Sequence, residues 1–211
     1  MTVTISRLYN SYADAQAAIS RLEAAGVKHG DISVLASNAD GWYKDGQSSK
    51  SGKPGTYPDR DLDGKDDRAE AAGTGATVGA VAGGTAGVLT GLGLMAIPGV
   101  GPIVAAGWLV ATLTGAAAGG ATGGLIGALT QAGVGKDEAD IYAESLRRGG
   151  AVVSARVADA DASRLQTVMD SAAVRPADRA TLYRQSGWKT FDPSAAPYTA
   201  DQVTKERSLY R

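Results

Sequence analysis

The sequence contains no cysteine and only one histidine, His29, among its 211 residues. The absence of cysteine excludes a disulfide framework, a thiolate zinc site, an iron–sulfur cluster and a cysteine nucleophile. A single histidine also excludes a metal site that needs two imidazole ligands. Because His29 adjoins Gly30 and Asp31 in a segment typical of a turn, we expect it to be an exposed turn residue rather than a catalytic one.

Net charge and phosphate-binding motifs give no sign of nucleic-acid or nucleotide chemistry. The formal net charge of −1 offers no electrostatic reason to expect a nucleic-acid partner. The GxxxxGK(S/T) phosphate loop is absent, and no Ser-His-Asp or paired-carboxylate context stands out from the solvated charges. We therefore expect a protein that is not an enzyme, and calcium is the one cofactor that the sequence suggests.

Charged residues are missing between positions 71 and 135, and this gap divides the chain. Before it, apolar spacing predicts a strand near the N-terminus, a helix over Ala15–Leu22 and a second strand over Ile32–Ala36. After it, the pattern predicts a helix that ends at Gly149–Gly150, a strand over Ala151–Val157, a helix over Asp161–Met169 and a short strand near Thr181–Tyr183.

Composition divides the chain into a folded domain and three other segments. Neither flank of the gap has enough apolar residues for a core of its own. We therefore predict an α+β fold in which residues 1–37 and 136–185 form one split, ferredoxin-like domain, a small sheet with helices on one face. Residues 38–70 are typical of a flexible acidic linker. Residues 71–135 are predicted to be an inserted helical hairpin, and residues 186–211 a tail with a short helix begun by Thr199.

The uncharged segment places small residues at every fourth position on both sides of a central break. Residues four apart lie on one face of a helix, so each arm of a helical hairpin would carry a ridge without side chains. Glycine costs about 0.5–1 kcal/mol relative to alanine in a helix, and close helix packing of the GxxxG kind would offset that cost. This predicted glycine zipper consists of Gly75, Gly79, Gly83, Gly87, Gly91, Gly107, Ala111, Gly115, Gly119, Gly123 and Gly127.

Pro98, Gly99, Gly101 and Pro102 are predicted to form the turn between the two helical arms. Each arm has about 27 residues and a length of about 40 Å, against about 30 Å of bilayer hydrocarbon. The sequence leaves open a membrane-inserted hairpin, a soluble oligomer of packed hairpins and an intramolecular hairpin. The first ten residues lack the basic and apolar regions of a signal peptide. We therefore expect a cytoplasmic or inner-membrane-associated protein that is not secreted by a signal peptide.

An acidic stretch before the uncharged segment fits the spacing of an EF-hand calcium loop. Its candidate ligands are Asp59, Asp61, Asp63, Asp67 and Glu70, with glycine at the sixth position of the loop. The preceding residues do not suit an entering helix, and an acid occupies the eighth position, which is usually aliphatic. The competing interpretation is a solvated acidic run that favours the positive end of the following helix.

Several motifs along the chain match one known family. They are Ala15–Ile19 and Gly26–Val27, the entry Gly73–Gly75, the turn Ala96–Pro102, the junction Arg147–Gly150 before a Val-rich strand, and the tail Gly187–Pro193 with Pro197–Thr199. With these motifs the chain resembles a bacterial family of general or heat-induced stress proteins. The resemblance implies a ferredoxin-like domain and a link to bacterial stress response, and it brings no reaction and no catalytic residues.

The leading hypothesis from the sequence is a non-catalytic stress-associated protein that self-associates through its glycine-zipper hairpin. Its expected partner is another copy of itself, with the lipid bilayer as a second possible partner. One alternative is a ligand- or calcium-sensing ferredoxin-like module that the hairpin anchors. A further alternative is a pore former built from bundled hairpins, although the segment supplies no charged ring for ion selection.

Overall fold

The computed structural model describes residues 1–44, 93–118 and 124–210, and over these residues the protein is α+β, as predicted. The described residues form a five-stranded antiparallel sheet and seven α-helices. In chain order the elements are β1 (Thr2–Tyr9), α1 (Tyr12–Ala24), β2 (Ile32–Ser37), β3 (Gly93–Ile97), β4 (Gly101–Ala106), α2 (Trp108–Ala118), α3 (Gly124–Gln131), α4 (Lys136–Arg147), β5 (Ala151–Ala158), α5 (Ala162–Asp170), α6 (Pro176–Gln185) and α7 (Ala200–Ser208).

The sheet has the strand order β1–β5–β2–β4–β3, and every neighbouring pair is antiparallel. Since β5 lies between β1 and β2, these two strands and α1 form a split β–α–β unit. At one end of the sheet, β1, β2 and β3 finish and β4 and β5 begin. The loops at this end of the sheet are therefore neighbours in space.

Helices cover both faces of the sheet, so the prediction of helices on one face is wrong. Alternation along β5 divides its side chains, with Val153 in the core cluster that includes residues of α1 and α5, and Val152 in the cluster that includes residues of α2, α3 and α4. β2 divides in the same way, with Val34 and Leu35 on opposite faces. Strands that are buried on both faces carry few polar residues, which explains the apolar sequence of β5.

The chain around the predicted hairpin turn is β-sheet rather than helix, and this corrects the prediction of uninterrupted helical arms. β3 and β4 pair from Gly93↔Ala105 to Ile97↔Gly101, and the turn between them contains Pro98 and Gly99. An apolar run has no polar positions from which to read a period of two or of 3.6, so periodicity alone could not separate strand from helix.

The short strand predicted near Thr181–Tyr183 is also absent, because these residues lie in α6. Pro176 occupies the first turn of that helix, where proline is favoured since it needs no N–H acceptor. The outer edge of β1 is met instead by a single bridge, in which the Val174 N–H donates to the Leu8 carbonyl at 2.7 Å.

Candidate functional site

The β3–β4 hairpin, α2 and α3 form a layer in which the described residues, 93–118 and 124–135, include no charged side chain. We call this the uncharged layer. Leu109 and Leu113 of α2, and Leu125 and Leu129 of α3, are buried and anchor the layer on the sheet and on α4. Their spacing of four places each pair on one inward helix face.

The outward side of the uncharged layer carries apolar side chains beside the exposed, uncharged polar residues Thr130 and Gln131. Leu94 is 41 % exposed on the edge strand β3, Ala111 is exposed on α2, and Val110 and Ile126 are half-buried. By contrast, α1, α4, α5, α6 and α7 all carry acidic or basic residues, as helices in contact with water usually do. An apolar surface without charges is typical of a site that meets another apolar surface.

Gly107, predicted to belong to the helix-packing ridge, lies instead at the turn between β4 and α2. Its φ is +87°, and a Cβ there would lie 2.3 Å from the carbonyl oxygen of Ile32. The Ser33 hydroxyl completes this junction, since it donates to the Ala106 carbonyl at 2.8 Å and accepts from the Leu109 N–H at 2.9 Å. The glycine is needed for backbone geometry and contact with β2, not for packing between helices.

The other ridge residues have separate places. Ala111 and Gly115 lie in α2 and Gly127 lies in α3. No described atom lies within 4 Å of the position that a Cβ on Gly127 would occupy, so the described residues do not make the predicted close approach there. Seven ridge residues lie outside the described residues: Gly75, Gly79, Gly83, Gly87, Gly91, Gly119 and Gly123.

The predicted turn residues contact the C-terminal arm, which we define as residues 186–210. A Cβ on Gly99 would lie 2.6 Å from Pro193 Cα, and one on Gly101 would lie 2.7 Å from Pro197 Cβ. Both glycines have positive φ values, +75° and +98°. The β3–β4 turn and the C-terminal arm, which are far apart in sequence, are therefore packed against each other. Phe191 of the arm is buried in the adjoining core.

The arm also covers a cluster of paired charges at the C-terminal end of α4. Glu144 is fully buried and accepts hydrogen bonds from Arg147 at 2.6 Å and Arg148 at 2.6 Å. Arg148 donates in turn to Glu206 of α7 at 3.1 Å. Burial alone would lower the pKa of Arg148, but its hydrogen bond and proximity to Glu144 raise it above its ordinary value. The guanidinium therefore stays charged and joins α4 to α7.

In the sequence, Arg147 and Arg148 stood out only as part of the junction motif Arg147–Gly150. Sequence reasoning missed their partners, because Glu206 lies 58 positions away. It also missed that Tyr183 and Tyr198 flank Arg148, with ring centroids at 4.1 and 5.5 Å from its guanidinium carbon. One feature of the sequence could have indicated this cluster of charges: Glu144 occupies a position that the apolar spacing of α4 places on the buried side of the helix.

The remaining expectations concern metals and membranes. The candidate calcium ligands Asp59, Asp61, Asp63, Asp67 and Glu70 lie outside the described residues. Over residues 1–44, 93–118 and 124–210, no group of three or more histidine or acidic side chains is arranged to hold a metal ion. Within the same part of the chain, no helix has both the length and the apolar character needed to cross a bilayer.

The fold and the site define an α+β protein with a helix-covered antiparallel sheet, one uncharged outer layer and an arm packed across one end of the sheet. No protein-family model, curated protein or solved structure matches the chain. The uncharged layer and the arm-covered end of the sheet are therefore interpreted from their own geometry.

Proposed function

We propose that this chain is a non-catalytic, stress-associated bacterial protein that self-associates through the uncharged layer and the adjoining uncharged residues 71–92. The observation that carries the proposal is the contrast between the outer surface of α2 and α3, which has no charge, and the charged surfaces of the other five helices. The link to stress response is supported by the sequence resemblance alone.

Apolar side chains that remain in contact with water carry a free-energy cost. Burial of apolar surface contributes about 25 cal/mol per Å², so covering Leu94 and Ile126 would favour association. Gly127 supports the same interpretation, since the space above it is open among the described residues. A helix from a second copy could approach the backbone closely there, which is the gain that offsets the low helix propensity of glycine.

Charge insertion tests the proposal with a matched control. Ala111 and Ala17 are both exposed helical alanines, but Ala17 lies on α1, whose surface already carries charges. We expect Ala111→Lys to weaken association at least about tenfold, because each tenfold corresponds to only 1.4 kcal/mol, and Ala17→Lys to leave it unchanged. Size-exclusion chromatography with light scattering over a dilution series measures both. A wild-type protein that stays monomeric in solution and in carbonate-washed membranes would overturn the proposal.

Gly127→Leu separates loss of association from loss of folding. Leucine has a higher helix propensity than glycine by about 0.8–1.0 kcal/mol, and no described atom obstructs its Cβ. We therefore expect the isolated chain to be as stable as wild type or more stable, while the larger side chain prevents close approach of a second helix. An unchanged oligomer in both Gly127→Leu and Ala111→Lys would contradict the assignment of the interface to this layer.

A further inference from the structure

A small cavity lies under the C-terminal arm, where β1 ends and β5 begins. Its volume is about 10 Å³, which is room for one particle of the size of a water molecule. Three arginines line it, Arg148, Arg179 and Arg207, and none of its described lining residues is acidic. The hydroxyls of Ser145 and Tyr183, which also line it, are hydrogen-bonded to each other at 2.9 Å.

Two of the three guanidinium groups are neutralised by acids outside the cavity. Arg148 pairs with Glu144 at 2.6 Å and with Glu206 at 3.1 Å. Arg207 pairs with Asp40 at 2.5 Å and also donates to the Gly149 carbonyl at 2.7 Å. Their positive charges are therefore already compensated.

Arg179 differs from both of these arginines. It is only 5 % exposed, yet no described acidic side chain lies within salt-bridge distance of it. Its Nη2 donates to the Asn10 side-chain oxygen, and the ring of Tyr210 covers its guanidinium carbon at 3.2 Å. Its Nη1 is buried and has no hydrogen-bond acceptor among the described residues. Among the described residues, one buried positive charge and one buried donor thus have no partner.

An arginine cannot relieve this situation by losing its proton, because its guanidinium group stays protonated in proteins. A buried charge without a counter-charge is strongly destabilising. A water molecule could accept the Nη1 hydrogen bond, but it would leave the charge uncompensated. A small anion would supply both the acceptor and the negative charge. The hydroxyl pair of Ser145 and Tyr183 uses one hydrogen internally, so one hydroxyl hydrogen remains to be donated.

We propose that this cavity binds one small monovalent anion of the chloride class against Nη1 of Arg179, beneath the C-terminal arm. A single positive charge without a described counter-charge calls for a monovalent anion, and the small free volume favours a monatomic one. Because the arm contributes Arg207 and Tyr210 to the lining, bound anion would stabilise the arm on the folded domain.

Thermal unfolding at constant ionic strength tests the proposal, with sodium chloride replaced stepwise by sodium gluconate, whose anion is too large for the cavity. We expect the wild-type melting temperature to rise with chloride, and the unfolding equilibrium constant to fall about tenfold per tenfold chloride once the site is mostly occupied. Arg179→Gln should remove this dependence. Arg175→Gln should retain it, since Arg175 is an exposed residue at the start of the same helix. Equal melting temperatures in the two salts would overturn the proposal.

A second measurement does not depend on the folding of a variant. Crystals of the wild-type chain grown in sodium bromide should give an anomalous peak beside Nη1 of Arg179, because bromide replaces chloride and scatters anomalously. Density there that lacks an anomalous signal would identify water and refute anion binding. Bromide found only on the protein surface would refute it equally.

Discussion

At the scale of single residues, three glycines at one end of the sheet share a left-handed backbone and a contact with the C-terminal arm. They are Gly99, Gly101 and Gly149, each with positive φ. The neighbours that a Cβ would meet are Pro193, Pro197 and Val203, all of them in the arm. These glycines therefore serve two needs at once, a backbone conformation that other residues rarely adopt and room for the arm.

Gly149→Ala tests this double role. A left-handed backbone costs a non-glycine residue roughly 1–2 kcal/mol, and the new Cβ would lie 2.3 Å from Cγ1 of Val203. We expect a total loss of about 2–4 kcal/mol in the free energy of unfolding, measured by urea denaturation. Gly26→Ala is the control, since Gly26 has a similar φ of +96° and no atom within 4 Å of the Cβ position. Gly26→Ala should lose only the roughly 1–2 kcal/mol that the left-handed backbone costs a non-glycine residue.

A double variant isolates the contact with the arm. Val203→Ala removes the methyl groups that the new methyl at position 149 would meet, so Gly149→Ala should cost less in that background than in the wild type. Equal losses for Gly149→Ala and Gly26→Ala would mean that the arm exerts no steric demand on Gly149.

At the scale of elements, α4 joins the sheet to the C-terminal arm. One side of the helix packs on the core through Tyr142 and Leu146. In its last turn Glu144 pairs with Arg147 and Arg148, and Arg148 also pairs with Glu206 of α7. Ser145 extends the connection to α6 through the hydroxyl of Tyr183. Three helices that are separate in sequence are thus held by polar contacts around a single turn.

We expect Glu144→Gln to destabilise the protein by about 3 kcal/mol, because removal of one partner leaves buried guanidinium groups uncompensated. The amide has the same shape as the carboxylate, so the effect reports charge rather than packing. Glu138→Gln, in the exposed first turn of the same helix, should change stability by less than about 0.5 kcal/mol. Thermal and urea denaturation measure both variants, and a loss in Glu144→Gln no larger than that in Glu138→Gln would contradict the role assigned to this carboxylate.

At the scale of the whole molecule, most elements outside the charge gap were predictable because polar residues mark their periods, and α6, part of which was predicted as a strand, is the exception. α1, α4, β5 and α5 lie close to their predicted positions. β3 and β4 were not predictable as strands, since residues 93–106 have no polar alternation to reveal a period of two. The layer of helices on the second face of the sheet was missed for the same reason. α2 and α3 cover the face that was expected to lack helices.

The position of the uncharged layer was predictable from the sequence, but its structure was not. The absence of charge from 71 to 135 is visible in the sequence, and the uncharged layer lies within that range. The four-residue period suggested one continuous ridge, yet Gly99, Gly101 and Gly107 satisfy turns and close contacts instead. The cavity at Arg179 could not be predicted, because its lining comes from β1, α4, α6 and the arm, and only tertiary packing brings these together.

The three apolar clusters found among the described residues each contain or contact a tyrosine whose pKa is raised by burial. The pKa is about 12 for Tyr142 in the first cluster, about 12 for Tyr12 against the second and about 12 for Tyr183 in the third. The ordinary value for tyrosine is 10.0. The folded protein therefore holds these phenol protons over a pH range in which the unfolded chain has lost them.

This difference predicts alkaline destabilisation with a definite sign. A raised pKa contributes stability that is fully present below pH 10 and is lost as the pH rises through 12, because the unfolded chain binds fewer protons there. Each phenol contributes a slope of about −1.4 kcal/mol per pH unit. Burial also raises the pKa of Tyr9, Tyr198 and Tyr210, so more than three phenols add to the slope. Urea denaturation at a series of pH values, with phenolate absorbance to count ionised tyrosines, measures the slope. Tyr142→Phe should reduce it by about one proton, and a slope unchanged by Tyr142→Phe, Tyr12→Phe and Tyr183→Phe alike would show that alkaline unfolding has another origin.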